Sequence, residues 1–150
     1  MSTRVDLKIK TELDWGFLTK GLSIRLIRLI VKTQLKTNGS WTGTYEAIVD
    51  TGNPLSIIPA SIWKKSLVKL LTSEPSRLYG IGTDEKSAAS GKLGEIIIVF
   101  SDKRRVSPPI TLKVFLLDDD STPLLIVFED VLTVTNLFCD YRSQRAYLEL

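Results

Sequence analysis

Most of this chain reads as short strands, alternating or continuous apolar runs that end in turn residues, and one longer segment shows helical spacing instead. Val5, Leu7 and Ile9 alternate with Asp6, Lys8 and Lys10, as in a strand with one buried and one wet face. A second strand is predicted from Ser23 to Leu35, with Leu29, Val31, Thr33 and Leu35 on one face. Thr37-Asn38-Gly39-Ser40 follows, and Asn-Gly takes the positive φ of a tight hairpin at little cost. The next strand, Trp41 to Val49, is therefore expected to pair antiparallel with the one before it. Further strands are predicted at Arg77–Ile81, Leu93–Phe100, Ile110–Leu117, Pro123–Phe128, Leu137–Tyr141 and Ala146–Leu150, with a turn at Ser143-Gln144. From Ala60 to Leu71 the period changes: Ile62, Trp63, Leu67, Leu70 and Leu71 fall near helical spacing, which predicts one short helix. Asp130–Val134 reads as a single helical turn, with Glu129 and Asp130 where a helix dipole favours acids. No repeat or low-complexity linker interrupts the chain, so the expected organisation is a strand or extension over residues 1–20 and one mainly-β domain over residues 21–150.

Composition narrows the chemistry. With no histidine among 150 residues, Ser-His-Asp and Cys-His catalysis and every zinc site with a histidine ligand are excluded. The single Cys139 removes intrachain disulfides and all-cysteine metal sites; its place in an apolar strand reads as a buried, inert thiol. Acid–base work would fall to carboxylates, hydroxyls, lysines or tyrosines. Lys+Arg 20 against Asp+Glu 17 gives a net charge of +3, and the short basic clusters Lys64-Lys65 and Lys103-Arg104-Arg105 lack interleaved aromatics. No nucleic-acid partner is expected. Arg25 and Arg28 interrupt the apolar stretch Leu22–Val31, which is far short of the roughly 20 apolar residues of a spanning helix, so no membrane partner is expected either. Charged residues at positions 4 to 10 leave no apolar signal core, and the expected location is cytoplasmic. Asp118-Asp119-Asp120 lacks the alternating ligands and distal glutamate of a calcium loop; it reads as solvated, and no metal or other cofactor is expected.

The informative segment is Ala47-Ile48-Val49-Asp50-Thr51-Gly52-Asn53-Pro54-Leu55-Ser56-Ile57-Ile58-Pro59. A hydrophobic strand delivers a carboxylate into a glycine-containing turn, where backbone N–H groups can reach its oxygens. That arrangement holds an aspartate in position for acid–base chemistry. Asp-Thr-Gly is also an ordinary turn or cap sequence, and the tripeptide alone does not separate the two readings.

The wider pattern resembles the active-site segment of retropepsin-like aspartic proteases, and the resemblance runs from about Leu26 to Leu150. The hairpin of Leu26–Val49 corresponds to the one that precedes the catalytic strand in that family. About 30 residues after Asp50, Tyr79-Gly80-Ile81-Gly82 is similar to the family's Gly-Ile-Gly flap tip, though an ordinary glycine-rich hairpin reads the same way. Pro123–Leu132 resembles its apolar strand and short helix, and Phe138–Tyr141 with Ala146–Leu150 its closing strands. Two positions depart from the pattern. Asn53 stands where a small residue usually follows Asp-Thr-Gly, and Val127 stands where a glycine usually packs behind the catalytic loop, so a side chain there is expected to press on that loop or to shift the local alignment.

The resemblance implies a retropepsin-like β-barrel, a peptide or protein substrate, and catalysis by Asp50 with Thr51 and Gly52. The motif occurs once, whereas aspartic proteolysis uses two carboxylates sharing one proton. The second must come from another copy, in a twofold homodimer. The family pattern further implies that Thr51 bonds across to the partner loop, that Gly52 brings its N–H to the carboxylates, and that Gly80, Ile81 and Gly82 close over substrate. Ile58 and Ile81 are expected as pocket or flap contacts, with core packing an equal reading for Ile58. Ala146–Leu150, together with Val5–Ile9, is expected in an intersubunit sheet, the alternative being an edge strand within one subunit. The competing functional reading is a weakly active or inactive member of the fold that serves as a dimerisation or peptide-binding module.

Overall fold

The computed structural model describes residues 2–78 and 88–150, so the tip Gly80-Ile81-Gly82 and the end of the strand expected at Arg77–Ile81 lie outside the described residues. The described residues are mainly β. The chain forms β1 (Arg4–Leu13), a single turn α1 (Trp15–Leu18), β2 (Arg25–Leu35), β3 (Tyr45–Val49), β4 (Ser56–Ile58), a second turn α2 (Ala60–Trp63), and the short β5 (Lys69–Leu70) and β6 (Ser76–Leu78). Then come β7 (Ala89–Ser101), β8 (Ile110–Leu117), β9 (Leu125–Ile126), a kinked turn at Phe128–Leu132, β10 (Asn136–Asp140) and β11 (Arg145–Glu149).

These strands join in the order β10-β11-β1-β2-β3-β9-β4-β8-β7-β5, with β6 beside β7. A further pairing of β2 with β7, Lys32↔Ser101 to Leu35↔Ile98, makes the run from β2 to β7 return on itself. The period-two faces meet inside: Val5, Leu29, Val31, Leu35, Ile96, Ile98, Phe100, Leu112 and Val114 share one buried cluster. At about 25 cal/mol per Å² this apolar burial is the main force that holds the strands together. β7 and β8 approach so closely that a Cβ at Gly91 would fall on the Leu116 carbonyl oxygen, which requires glycine there.

Three expectations are corrected by tertiary contacts. The helix expected to reach Leu71 stops at Trp63, because the Leu67 N–H is taken by the Lys36 carbonyl at 2.8 Å and Lys69–Leu70 pair with Glu95 and Gly94 of β7. Leu67, Leu70 and Leu71 are exposed, so their helical spacing marks no core face. The turn expected at Asp130–Val134 begins two residues earlier and is kinked: Glu129 is extended and Asp130 is left-handed at φ 62°. Asp130 accepts the Lys113 N–H at 2.8 Å, so β8 rather than a helix dipole sets its conformation. Finally, β11 is neither an intersubunit nor an edge strand. It lies between β10 and β1 of its own chain, with Leu148 paired to Leu137 on one side and Val5 on the other.

β1 is integral to the fold, since Val5 and Leu7 sit in the main core. A boundary at residues 20/21 would cut the hairpin in which Lys8–Leu13 pair with Ile30–Arg25. No helix among the described residues is long and apolar enough to cross a membrane.

Candidate functional site

Asp50 follows the last residue of β3, and the strand beneath its loop comes from far along the chain. β9 pairs parallel with β3, at Ile48↔Leu125 and Val49↔Ile126, and antiparallel with β4 at Ile57↔Leu125. The loop from Asp50 to Leu55 therefore arches over the end of β9. Three bonds fasten it there. The Asp50 N–H donates to the Ile126 carbonyl at 2.9 Å, the Val127 N–H to the Ser56 hydroxyl at 3.1 Å, and the Glu129 N–H to the Pro54 carbonyl at 3.2 Å. Ser56 is fully buried, so its hydroxyl is an internal acceptor for an N–H that has left the sheet ladder.

Within the loop, Asp50 Oδ1 accepts the Gly52 N–H at 2.8 Å and Oδ2 accepts the Asn53 side-chain amide at 2.7 Å. Each carboxylate oxygen offers two lone-pair sites, so both retain capacity for a water or a second acid. A Cβ at Gly52 would sit 3.2 Å from Oδ1, tighter than an ordinary contact, so glycine keeps the approach open. Thr51 and Gly52 are exposed and Asp50 is half-buried. Asp50, Thr51 and Gly52, consecutive in the chain, share this one turn at the mouth of a cleft. Ile58 is not with them: it is fully buried in the main core, paired with Leu116, and its side chain does not reach the cleft. Gly80, Ile81 and Gly82 lie outside the described residues.

Asn53 and Val127, which break the family pattern, both have clear places. Asn53 is a second donor to the carboxylate. Val127 points away from the loop into a compact buried group with Ile57, Phe115, Leu117 and Leu125, so it does not press on Asp50.

The carboxylate opens onto a cleft of about 580 Å³. Its walls are Leu26–Leu29 of β2, Ile48 and Val49 of β3, Pro123 and Leu125, and Leu137, Cys139 and Tyr141 at the end of β10. Arg28 brings a cation to this wall, where Glu12 pairs with it at 3.9 Å. Cys139 is half-buried on the wall rather than sealed in the core, which corrects the expectation of a buried thiol. Interaction with this neighbouring thiol, and then burial, hold the Tyr141 phenol above its usual range. No local signal in the sequence places Cys139 and Tyr141 beside Asp50; only the return of β10 beside β11 does so.

A larger concavity of about 680 Å³ lies between Asp6, Lys8, Lys32, Glu46 and Asp102. It contains no part of the Asp50 loop. Its floor is structural: the Asp102 carboxylate accepts the Asp6 N–H at 2.8 Å and the Arg104 and Arg105 N–H groups at 2.7 and 2.8 Å. Burial pushes that carboxyl up, but the three N–H donors and the Arg105 guanidinium outweigh it and hold Asp102 below the ordinary aspartate range. Among the described residues no cluster of three or more acidic, histidine or cysteine side chains could hold a metal ion. No family model, no curated protein and no solved structure matches the chain.

Proposed function

We propose that this chain is a homodimeric aspartic endopeptidase of retropepsin type, with the strands that return on themselves forming a retropepsin-like barrel. The observation that carries this reading is the Asp50 loop. A carboxylate stands at the end of a buried strand, bonded on both oxygens by its own turn, anchored over β9 and open to a cleft. A single such carboxylate cannot be acid and base at once. Two Asp50 side chains related by a twofold axis would share one proton, because like charges about 3 Å apart do not both ionise. One Asp50 takes a proton from a bound water, whose oxygen attacks the amide carbon. The other, protonated, polarises the carbonyl oxygen, and a proton then passes to the leaving nitrogen as the C–N bond breaks. The two apparent pKa values of such a pair belong to the dyad. The exposed Thr51 and Gly52 are free to meet the partner loop, and an extended peptide would lie across both loops as an added strand.

The competing reading, a peptide-binding or dimerisation module, rests on Asn53, whose amide already engages Oδ2. One experiment separates the two: incubation of the purified protein and of Asp50→Asn with a mixed peptide library across pH 3 to 7, read by mass spectrometry. The protease reading expects cleavage by the native chain and at least a thousandfold less by Asp50→Asn. Equal cleavage by both, or none by either while peptide still binds, overturns it.

A further inference from the structure

Beyond Val49 the chain carries a feature that its own fold leaves uncovered. β1 and β2 run on as a two-stranded arm, paired from Lys8↔Ile30 out to Leu13↔Arg25 and closed by α1 and Gly21. Opposite residues of an antiparallel pair share a face. The face that is core at Val5, Leu7, Leu29 and Val31 therefore continues outward through Ile9 to Ile27 and Leu13, with Thr11 opposite Ile27 and Arg25 at its far end opposite Leu13. There the cover ends. Ile27 is 49% exposed and Leu13 43%, and the arm's closing loop adds Trp15 at 74%, Leu22 at 53%, and the exposed Phe17 and Ile24.

The arm's long edge is open as well. β3 pairs with β2 only from Leu29 onward, at Leu29↔Val49, so the Arg25–Arg28 edge begins level with Asp50 and has no strand partner among the described residues. The opposite face carries ion pairs around Leu26, with Glu12 bridging Lys10 at 2.7 Å and Arg28 at 3.9 Å. One largely apolar face, one open edge and one ion-paired face make an interface that lacks its other half. The six apolar side chains present on the order of 500 Å², much of the roughly 800 Å² that a standard interface buries per partner.

Resting on the reading of a shared Asp50 site, we infer that this arm is the dimerisation surface, and that its occupant is the same arm of a second copy. The last strand cannot serve, because β11 is paired on both edges within its own chain, and the sheet edge at β10 lacks the continuous exposed apolar face that the arm has. The arm starts beside Asp50 and forms one wall of its cleft through Leu26 and Ile27. A twofold axis that brings two Asp50 loops together brings two arms within reach of each other. A self-complementary patch at the axis is what a C2 dimer requires.

The test is sedimentation equilibrium of the native chain, Ile27→Lys, the double variant Trp15→Ser/Phe17→Ser, and Val106→Lys, an exposed apolar site off the arm. Circular dichroism verifies folding of each, and the loop double variant, which touches no ladder residue, stands in should Ile27→Lys misfold. Cys139, on the cleft wall, reports locally through its rate of thiol labelling. The expected result is a native dimer, unchanged in Val106→Lys, whose Kd rises at least a hundredfold in both arm variants while Cys139 labels several times faster. Arm variants that dimerise like the native chain overturn the arm and leave the shared site standing. A native chain that stays monomeric at 100 µM or more overturns both.

Discussion

Ser56→Ala tests the physical link between the Asp50 loop and the strand beneath it. Ser56 is fully buried, and its hydroxyl accepts the Val127 N–H at 3.1 Å. Alanine removes the acceptor and leaves an N–H with no room for a replacing water, at a cost of about 1–3 kcal/mol. For a chain of this length each kcal/mol moves Tm by about 2–4 °C, so a loss near 2 kcal/mol lowers Tm by about 4–8 °C. Differential scanning calorimetry measures the total, and amide hydrogen exchange locates it: the Val127 amide is expected to lose protection before the core amides of β7 and β8. Ser56→Cys, with a weak acceptor of similar size, falls between native and alanine, and the exposed Ser73→Ala stays within about 0.5 kcal/mol. A Tm for Ser56→Ala within about 1 °C of native, with Val127 protection unchanged, would refute the reasoning that this hydroxyl clamps the loop.

Val127→Gly, which places the glycine that the resembled pattern has there, is expected to destabilise the chain by about 2–4 kcal/mol in urea unfolding, because it empties a filled pocket beside Phe115 and Leu117 and frees the backbone. Gly91→Ala is expected to cost about 3 kcal/mol or to prevent folding, since its Cβ would meet the Leu116 carbonyl across β7 and β8. Asp102 is held below its ordinary range when folded, so its contribution is present above about pH 4 and is lost as pH falls through the lowered value. Urea unfolding of Asp102→Asn should show a deficit near pH 7 that narrows toward pH 2.

Much of the sheet is legible in the sequence, because half-buried strands write their burial into alternate residues. Ile110–Leu117 has the boundaries expected, and the hairpins around β2 and β11 follow from Asn38-Gly39 and Ser143-Gln144. Asp50, Thr51 and Gly52 are legible for a similar reason, since strand, carboxylate and glycine are consecutive. What is hidden depends on distance along the chain. The insertion of β9 between β3 and β4 joins residues about 70 positions apart and brings Ser56 to Val127. Local spacing also misleads where a sheet edge competes for the backbone, as at Leu67–Leu71. Asn53 reads as a departure until its amide is seen on Oδ2, and Val127 until its pocket is seen behind the loop. The arm is the subtlest case: its alternation is that of an ordinary strand, and only the fold shows that β3 ends early beside it and that Leu13 and Ile27 stay exposed.

The two-carboxylate site is tested most directly by mixing. Native chain and Asp50→Asn, unfolded together and refolded at equal concentration, form dimers at random, and about a quarter of the dimers carry two native loops. A shared site predicts that peptide-cleaving activity falls to about half that of the same amount of native chain refolded alone, and follows the native fraction itself as more Asp50→Asn is added to that fixed amount. Activity that tracks the native chain one for one, unaffected by any excess of Asp50→Asn, would contradict a site built from two Asp50 carboxylates.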